Sequence, residues 1–341
     1  MQRINFDTMK ETVKKAFLNA GLSEQQADIC AQIHTESSCD GVFSHGLNRV
    51  SRFIDYVQKG WINIQAEPTQ VKSLGVIEIY DGNQGIGITN ALFAVEKAAE
   101  LARQNGIGIV ALRNTTHWMR GGTYGWRAAE QGLAAICWTN TESCMPAWGG
   151  KNTRLGNNPF VMAVPREKGS IVLDMAMSQY SYGKLQVTRL KNERLPFPGG
   201  FDQQGNLTDE PGPIEQSMRI LPTGYWKGSG MAVLLDAMAA LLSAGHPTNE
   251  IDKVGKGSCT GASQIFMVFD PAQLGGREFS EQMADSVADY VKTSTAAEGQ
   301  KDVYYPGEHS AKNRRENLIN GIPVDDGVWA EIVKLAQEVD G

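Results

Sequence analysis

Between residues 76 and 269 the chain alternates short runs rich in Val and Ile with stretches of helical periodicity. This alternation restricts the fold more than any other feature of its 341 residues. Residues 76–80, 107–112, 134–139, 160–164, 171–175 and 265–269 are apolar runs of strand length set off by turn-forming residues, which predicts a sheet of six or seven strands. Helical pattern over 89–104 and 230–244 separates some of them, so the expected class is α/β with some parallel pairing.

Both ends read as helical. Met9, Val13 and Phe17 recur at helical spacing, and Ser23 with Gln26 forms a capping-box signature opening a second helix to about Glu36. A third is expected from about His45 to Gln58, and a last one, capped by Asp325 or Asp326, through Val339. Residues 1–74 and 275–341 are therefore expected to form a helical domain, and 75–274 a mixed-sheet domain. Residues 189–216, with four prolines and few apolar runs, read as a long surface excursion.

Acidic residues outnumber basic ones 38 to 32, and no long Lys/Arg run occurs, so nucleic acid and membrane surfaces are poor partners and a small molecule is the better one. The longest apolar stretch, 231–242, contains Asp236 and is too short to span a bilayer, and the N-terminus lacks the apolar region of a signal peptide, so a cytoplasmic location is expected. Five cysteines without a Cys-x-x-Cys pair imply buried, reduced thiols; Cys39, six residues before His45, is the one conceivable nucleophile. No His/carboxylate cluster has metal-ligand spacing, so no metal is expected.

The chemistry points to residues 40–57. On a helix from about His45, Leu47, Val50, Ile54 and Val57 share one face while His45, Arg49, Arg52 and Tyr56 share the opposite one. Three basic side chains one turn apart repel one another, and a bound carboxylate would remove the conflict, gripped by Arg49 through two parallel bonds. His45 would then face the carbonyl beside that carboxylate, with Ser44 capping the helix or orienting the ring. A plain solvated face with a surface histidine is the competing reading. The Lys227-Gly-Ser-Gly230 run, placed before an apolar helix, suits a pyrophosphate, with a plain helix cap as the alternative role of Ser229. Asp174 interrupts a buried strand and needs a partner, either a ribose hydroxyl or a backbone donor. The Asp81-to-Gly87 stretch has glycines spaced Gly-x-x-Gly-x-Gly, which fits a turn and helix entry better than a dinucleotide fingerprint. His34 and His246 read as structural or surface residues.

The run Gly-Val-Phe-Ser44-His45-Gly-Leu-Asn-Arg49 resembles the Ser-His-Gly-x-x-Arg motif of the malate/L-lactate dehydrogenase family, a non-Rossmann class that includes sulfolactate, ureidoglycolate and piperideine-carboxylate enzymes. The likeness continues through Asn114-Thr-Thr-His117-Trp, Leu155-Gly-Asn-Asn-Pro159, Leu173-Asp-Met-Ala-Met-Ser178, Gly224-Tyr-Trp-Lys-Gly-Ser-Gly230 and Pro306-Gly-Glu308, and so covers essentially the whole chain. It implies a sulfolactate-dehydrogenase-like fold, a homodimer, and reduction of a 2-oxo acid by NADH, with NADPH as the other option. It also implies His45 as proton donor, His117 close to the site, and cofactor contacts from Val172, Leu173, Asp174, Met175, Ala176, Met177, Ser178, Trp226, Lys227, Gly307, Glu308 and His309. The runs 117–126 and 219–230 imply a sugar-acid substrate; malate, lactate or ureidoglycolate are alternatives, as is a catalytically silent sugar-acid binder. The most similar members read Gly-His-Glu where this chain has Gly307-Glu308-His309, and Gly-Thr-Asn-Pro where it has Gly156-Asn-Asn-Pro159.

Overall fold

The computed structural model describes residues 2–337. Its centre is a sheet of seven strands: β1 (Thr69–Leu74), β2 (Ile77–Asp81), β3 (Ile107–Thr115), β4 (Ala134–Thr139), β5 (Phe160–Val164), β6 (Ile171–Met175) and β7 (Ala262–Phe269). They lie in the order β1-β2-β3-β7-β4-β5-β6. Only β2 and β3 run parallel, joined by the crossover helix α4 (Gly87–Asn105), and every other neighbouring pair is antiparallel. The expected parallel pairing is thus confined to one pair. Strand β1 escaped the sequence reading because it is an exposed edge strand with no buried face to produce an apolar alternation.

Alternation along the central strands sorts two cores. Val110, Leu112, Phe266 and Val268 point to the face covered by α4 and α5 (Gly122–Glu130), whereas Ala111 and Ile265 point to the face covered by α8 (Trp226–Ser243). The stretch 189–216 is less of a surface excursion than expected. It holds the end of α6 (Tyr182–Leu190), a two-stranded hairpin and most of α7 (Pro211–Ser217), and it sends Leu195 and Ile214 into the core beneath α8.

A third core joins α1 (Phe6–Asn19), α2 (Glu24–Cys39), α3 (Val50–Gln58) and α11 (Asp326–Gln337) through Met9, Val13, Phe17, Ile33, Phe53 and Ile332. Gln2–Ile4 pairs with Ile322–Val324, tying the two ends of the chain together. The Ser23/Gln26 capping box is present, but α2 continues to Cys39 rather than Glu36. Asp325, not Asp326, caps the last helix, accepting from the Gly327 and Val328 amides; the expected end at Val339 lies outside the described residues. Helix α9 (Arg277–Lys292) lies against the loop between β5 and β6, where Arg166 donates to Asp285 at 2.6 Å, and α10 (Glu308–Asn320) follows it. None of the helices among the described residues is long and apolar enough to cross a membrane.

Candidate active site

The segment expected as one helix from His45 is two short 3-10 turns, Phe43–His45 and Leu47–Arg49, and the α-helix begins only at Val50. Gly46 causes the break. A Cβ there would overlap Ser38 Oγ and the α2 backbone, so the chain passes α2 at a distance only glycine permits, with an extended ψ that ends the first turn. Helix α2 then pins the turn: Ser38 Oγ accepts from the Leu47 amide at 2.9 Å, and His34 Nδ1 donates to the Gly46 carbonyl at 2.9 Å. His34 is therefore a structural histidine, and burial pushes its pKa down to about 4. The apolar half of the expectation stands, since Leu47, Val50, Ile54 and Val57 are buried. Of the polar face, Arg52 is exposed, while the loop 255–261 folds over Arg49 and Tyr56.

That cover makes a small polar pocket. Arg49 Nη2 donates to Ser258 Oγ at 3.1 Å, and a cavity between Arg49 and His117 is lined also by Tyr56, Met119 and Cys259. The His45 and His117 rings stack with centroids 5.6 Å apart and planes 14° apart, and Ser44 Oγ lies 3.1 Å from His45 Nδ1. His117 Nδ1 accepts the Met119 amide at 2.9 Å, so its neutral ring carries the proton on Nε2. Glycine spacing in the Asp81–Gly87 stretch serves this pocket rather than a phosphate. Gly87 opens α4 directly against the Thr116 and His117 carbonyls, where a Cβ would collide.

The electrostatics are one-sided. Burial first, then Arg49, then Arg120 and His34, push the His45 imidazole down to about 3, in a residue that is half-buried overall. Burial and Arg49 likewise hold His117 well below its usual value. Burial raises the carboxyl pKa of Glu142, in the loop after β4 and unremarked in the sequence, while Arg49 and Ser258 oppose the rise. The only sequence signal for the cover over Arg49 is a glycine-rich loop. The cysteines are free, and burial raises Cys39 to about 11, which removes it as a nucleophile.

The segments expected to hold a cofactor converge along β6. At its start, Val172 donates to the Pro306 carbonyl at 3.0 Å, bringing Gly307 alongside; a Cβ on Gly307, whose φ is +91°, would sit 3.0 Å from Val172 N. Past its end, Met177 and Gln179 are bonded to Thr223 and Leu221, just before Trp226 and Lys227. Ser178 is buried here and Met177 belongs to the core, with Met175, Leu173 and Ala176 half-buried. Farther on, Gly183 packs on Ser44, which links this spine to His45. Asp174 finds its partners in Arg120, 3.6 Å away, and the Gly122 amide; Arg120 is shared with the buried Asp40, which Arg314 also holds.

Two expectations need correcting. Helix α8 starts at Trp226 rather than Gly230, so Lys227, Gly228 and Ser229 lie in its first turns, and their amides are already bonded to Gly224, Thr223 and Tyr225. A phosphate there would rely on the exposed Lys227 side chain instead of free amides. Ser229 is not a cap either, because its hydroxyl accepts the Trp148 amide at 2.9 Å. Glu308 is engaged with Lys292 at 3.1 Å, and His309 is exposed beside Asn313.

Residues 4–333 match the family described as malate/L-lactate dehydrogenase. The 2,3-diketo-L-gulonate reductase of Shigella boydii serotype 4 is 44% identical over 98% of this chain and all of its own length, and that of Escherichia coli strain SMS-3-5 is 43% identical over the same shares. Among solved structures, sulfolactate dehydrogenase from Methanocaldococcus jannaschii superimposes with a TM-score of 0.89 at 28% identity, covering 99% of this chain and 97% of its own. Delta1-piperideine-2-carboxylate reductase from Pseudomonas syringae superimposes with a TM-score of 0.86 at 25% identity, covering 98% of this chain and all of its own. The fold is thus of the sulfolactate dehydrogenase type, and the chain belongs to the malate/L-lactate dehydrogenase family of oxidoreductases acting on 2-hydroxy and 2-oxo acids.

Proposed function

We propose that the protein reduces 2,3-diketo-L-gulonate to 3-keto-L-gulonate with NADH, NADPH being the alternative donor, and that His45 supplies the proton to the reacting carbonyl oxygen. The observation that carries this reading is the stacking of His45 on His117, which shares a small cavity with a covered Arg49. The named relatives support the substrate.

The nicotinamide supplies hydride to the carbonyl carbon when bound. The residues fit such a group: Lys227 is an exposed cation at one end of the β6 spine, and Gly307 leaves a bare backbone at the other. Beside Gly307, Trp126 Nε1 is buried without a hydrogen-bond partner among the described residues. Val172 to Ser178, Trp226, Lys227 and Gly307 to His309 would hold the cofactor, with Asp174 kept in place by Arg120.

Arg49 grips the substrate carboxylate through its fork, which fixes the neighbouring carbonyl against His45. In the empty pocket His45 is neutral, because burial and Arg49 both oppose its charge. A bound carboxylate offsets Arg49 and lets His45 take up the proton it later delivers. Ser44 holds Nδ1, so Nε2 is the atom presented; His117 offers Nε2–H as a second donor to the same oxygen. We place the enzyme in the cytoplasm as a homodimer. The outer side of α8 exposes Met231, Val233, Leu234, Met238 and Leu241, an apolar face suited to a second copy. The test is oxidation of reduced cofactor with 2,3-diketo-L-gulonate, oxaloacetate and pyruvate. The reading stands if the diketo acid has the highest kcat/KM and fails if it is not reduced.

A further inference from the structure

Four parts of the proposed site meet at one buried ion pair. Asp40 follows α2, five residues before His45, and Arg120 lies three residues past His117 on the loop that leads into α5. Their side chains are only 2% and 5% exposed, and Arg120 Nη1 donates to Asp40 Oδ2. Arg314 on α10 holds the same carboxylate through two bonds, Nε to Oδ1 at 2.5 Å and Nη2 to Oδ2 at 3.0 Å. Arg120 also donates to Ser310 Oγ at 3.3 Å, in the first turn of the helix that Gly307 opens. The remaining contact is the loose one. Arg120 Nε stands 3.6 Å from Asp174 Oδ2, beyond hydrogen-bond distance, and Asp174, on the β6 spine, keeps 26% of its side chain exposed. A buried pair of this kind adds little net stability, because taking both charges out of water costs about as much as their attraction returns. What it supplies is fixed geometry, since a planar guanidinium sets the position of each carboxylate it holds.

We propose that Arg120 and Asp40 are positioning residues that couple cofactor binding along β6 to the seating of the 2-oxo acid at His45 and Arg49. This rests on the reductase reading given above. Asp174, once it accepts a ribose hydroxyl on its exposed face, is fixed and closes the 3.6 Å gap to Arg120. Arg120 then has one place between two carboxylates. The segments attached to it, 40–45 through Asp40 and 117–120 through its own backbone, give up freedom that the acid would otherwise have to remove. The acid therefore binds more tightly to the cofactor-loaded protein, and by reciprocity the cofactor to the acid-loaded one.

The experiment measures the affinity for 2,3-diketo-L-gulonate by calorimetry with and without saturating ADP-ribose, which has both ribose units but no nicotinamide to reduce or touch the acid. The wild type should bind the acid about 5- to 10-fold more tightly with ADP-ribose present. Arg120→Lys keeps a charge but lacks the fork that serves two carboxylates at once, and should bring that factor to about 2 or less. Arg314→Lys, at a half-buried position, loses the two-bond hold on Asp40 and should lower the factor about 2-fold. The factor is a ratio, so a merely structural role, which lowers affinity or folded fraction generally, leaves it unchanged. ADP-ribose alone should also slow amide exchange over residues 40–47 in the wild type and not in Arg120→Lys. A wild-type factor near 1, or the same factor in both variants, overturns the proposal. Failure to bind the diketo acid, or to bind either reduced cofactor, sinks the reductase reading and this proposal with it; a working reductase without the coupling sinks the proposal alone.

Discussion

The two halves of the proposed site are built on opposite principles. The pocket around His45, Arg49 and His117 is enclosed and clamped, with α2 holding the turn from behind and the loop 255–261 covering the arginine. The line from Gly307 along β6 to Lys227 is open. Its groups are held mainly by backbone bonds, and Trp226, Lys227 and His309 are exposed. Enclosure shifts proton equilibria and gives each polar contact a large effect; an open surface spreads a long ligand over many contacts of small effect. Asp40, Arg120 and Asp174 form the ionic link between the two.

The largest expected effect lies in the enclosed half. Glutamine in place of His45 keeps a polar side chain but cannot carry the proton, so turnover should fall about two to four orders of magnitude while cofactor affinity holds. Near wild-type turnover in folded His45→Gln, under conditions where deuterated cofactor shows chemistry to be rate-limiting, would break the comparison at its centre. Arg49→Lys keeps the charge and loses the fork. Its kcat/KM should drop roughly 10- to 100-fold, matching ~1.5–3 kcal/mol for charge-assisted bonds, and an unchanged value would shift the clamp to Arg52.

Acid stability sharpens the contrast next. His34 is held at about 4, His45 at about 3 and His117 well below its usual value, so each folded-state pKa is depressed. As pH falls through ~6.5 the unfolded chain takes up protons that the folded pocket refuses, and stability is therefore lost from about pH 6.5 down toward 4. Urea midpoints measured at pH 7, 6, 5 and 4 should fall across that window; a flat profile would mean the imidazoles are not enclosed as described. Substrate binding at pH 7 should be accompanied by uptake of up to one proton at His45, seen by calorimetry in buffers of different ionisation enthalpy. Equal heats in all buffers would uncouple His45 from the carboxylate.

The smallest effect belongs to the open half. Lys227→Met should weaken cofactor binding only a few-fold, as removal of one exposed charge contact of ~0.2–1 kcal/mol would, and should flatten its salt dependence. A loss of a hundredfold would show that Lys227 is more enclosed by the ligand than its position in the free chain suggests.

The sequence by itself determined the α/β class, six of the seven central strands, the capping box of α2 and the buried side of α3. Each rests on local periodicity or on a cap three residues away, and such short-range rules survive whatever packs around them. It also brought His45, Arg49 and the β6 run into view, because motif and periodicity coincide there. Tertiary structure decided the rest. Strand β1 has no buried face to leave a pattern, and the His45 segment breaks into two turns because Gly46 must pass α2 closely. The first-turn amides of α8 are consumed by a turn that residue types do not announce. Arg49 and Ser258 come from distant stretches of chain, and only folding brings them within reach of one another. A charge becomes functional through what surrounds it, and those surroundings are assembled by long-range packing that no local pattern encodes.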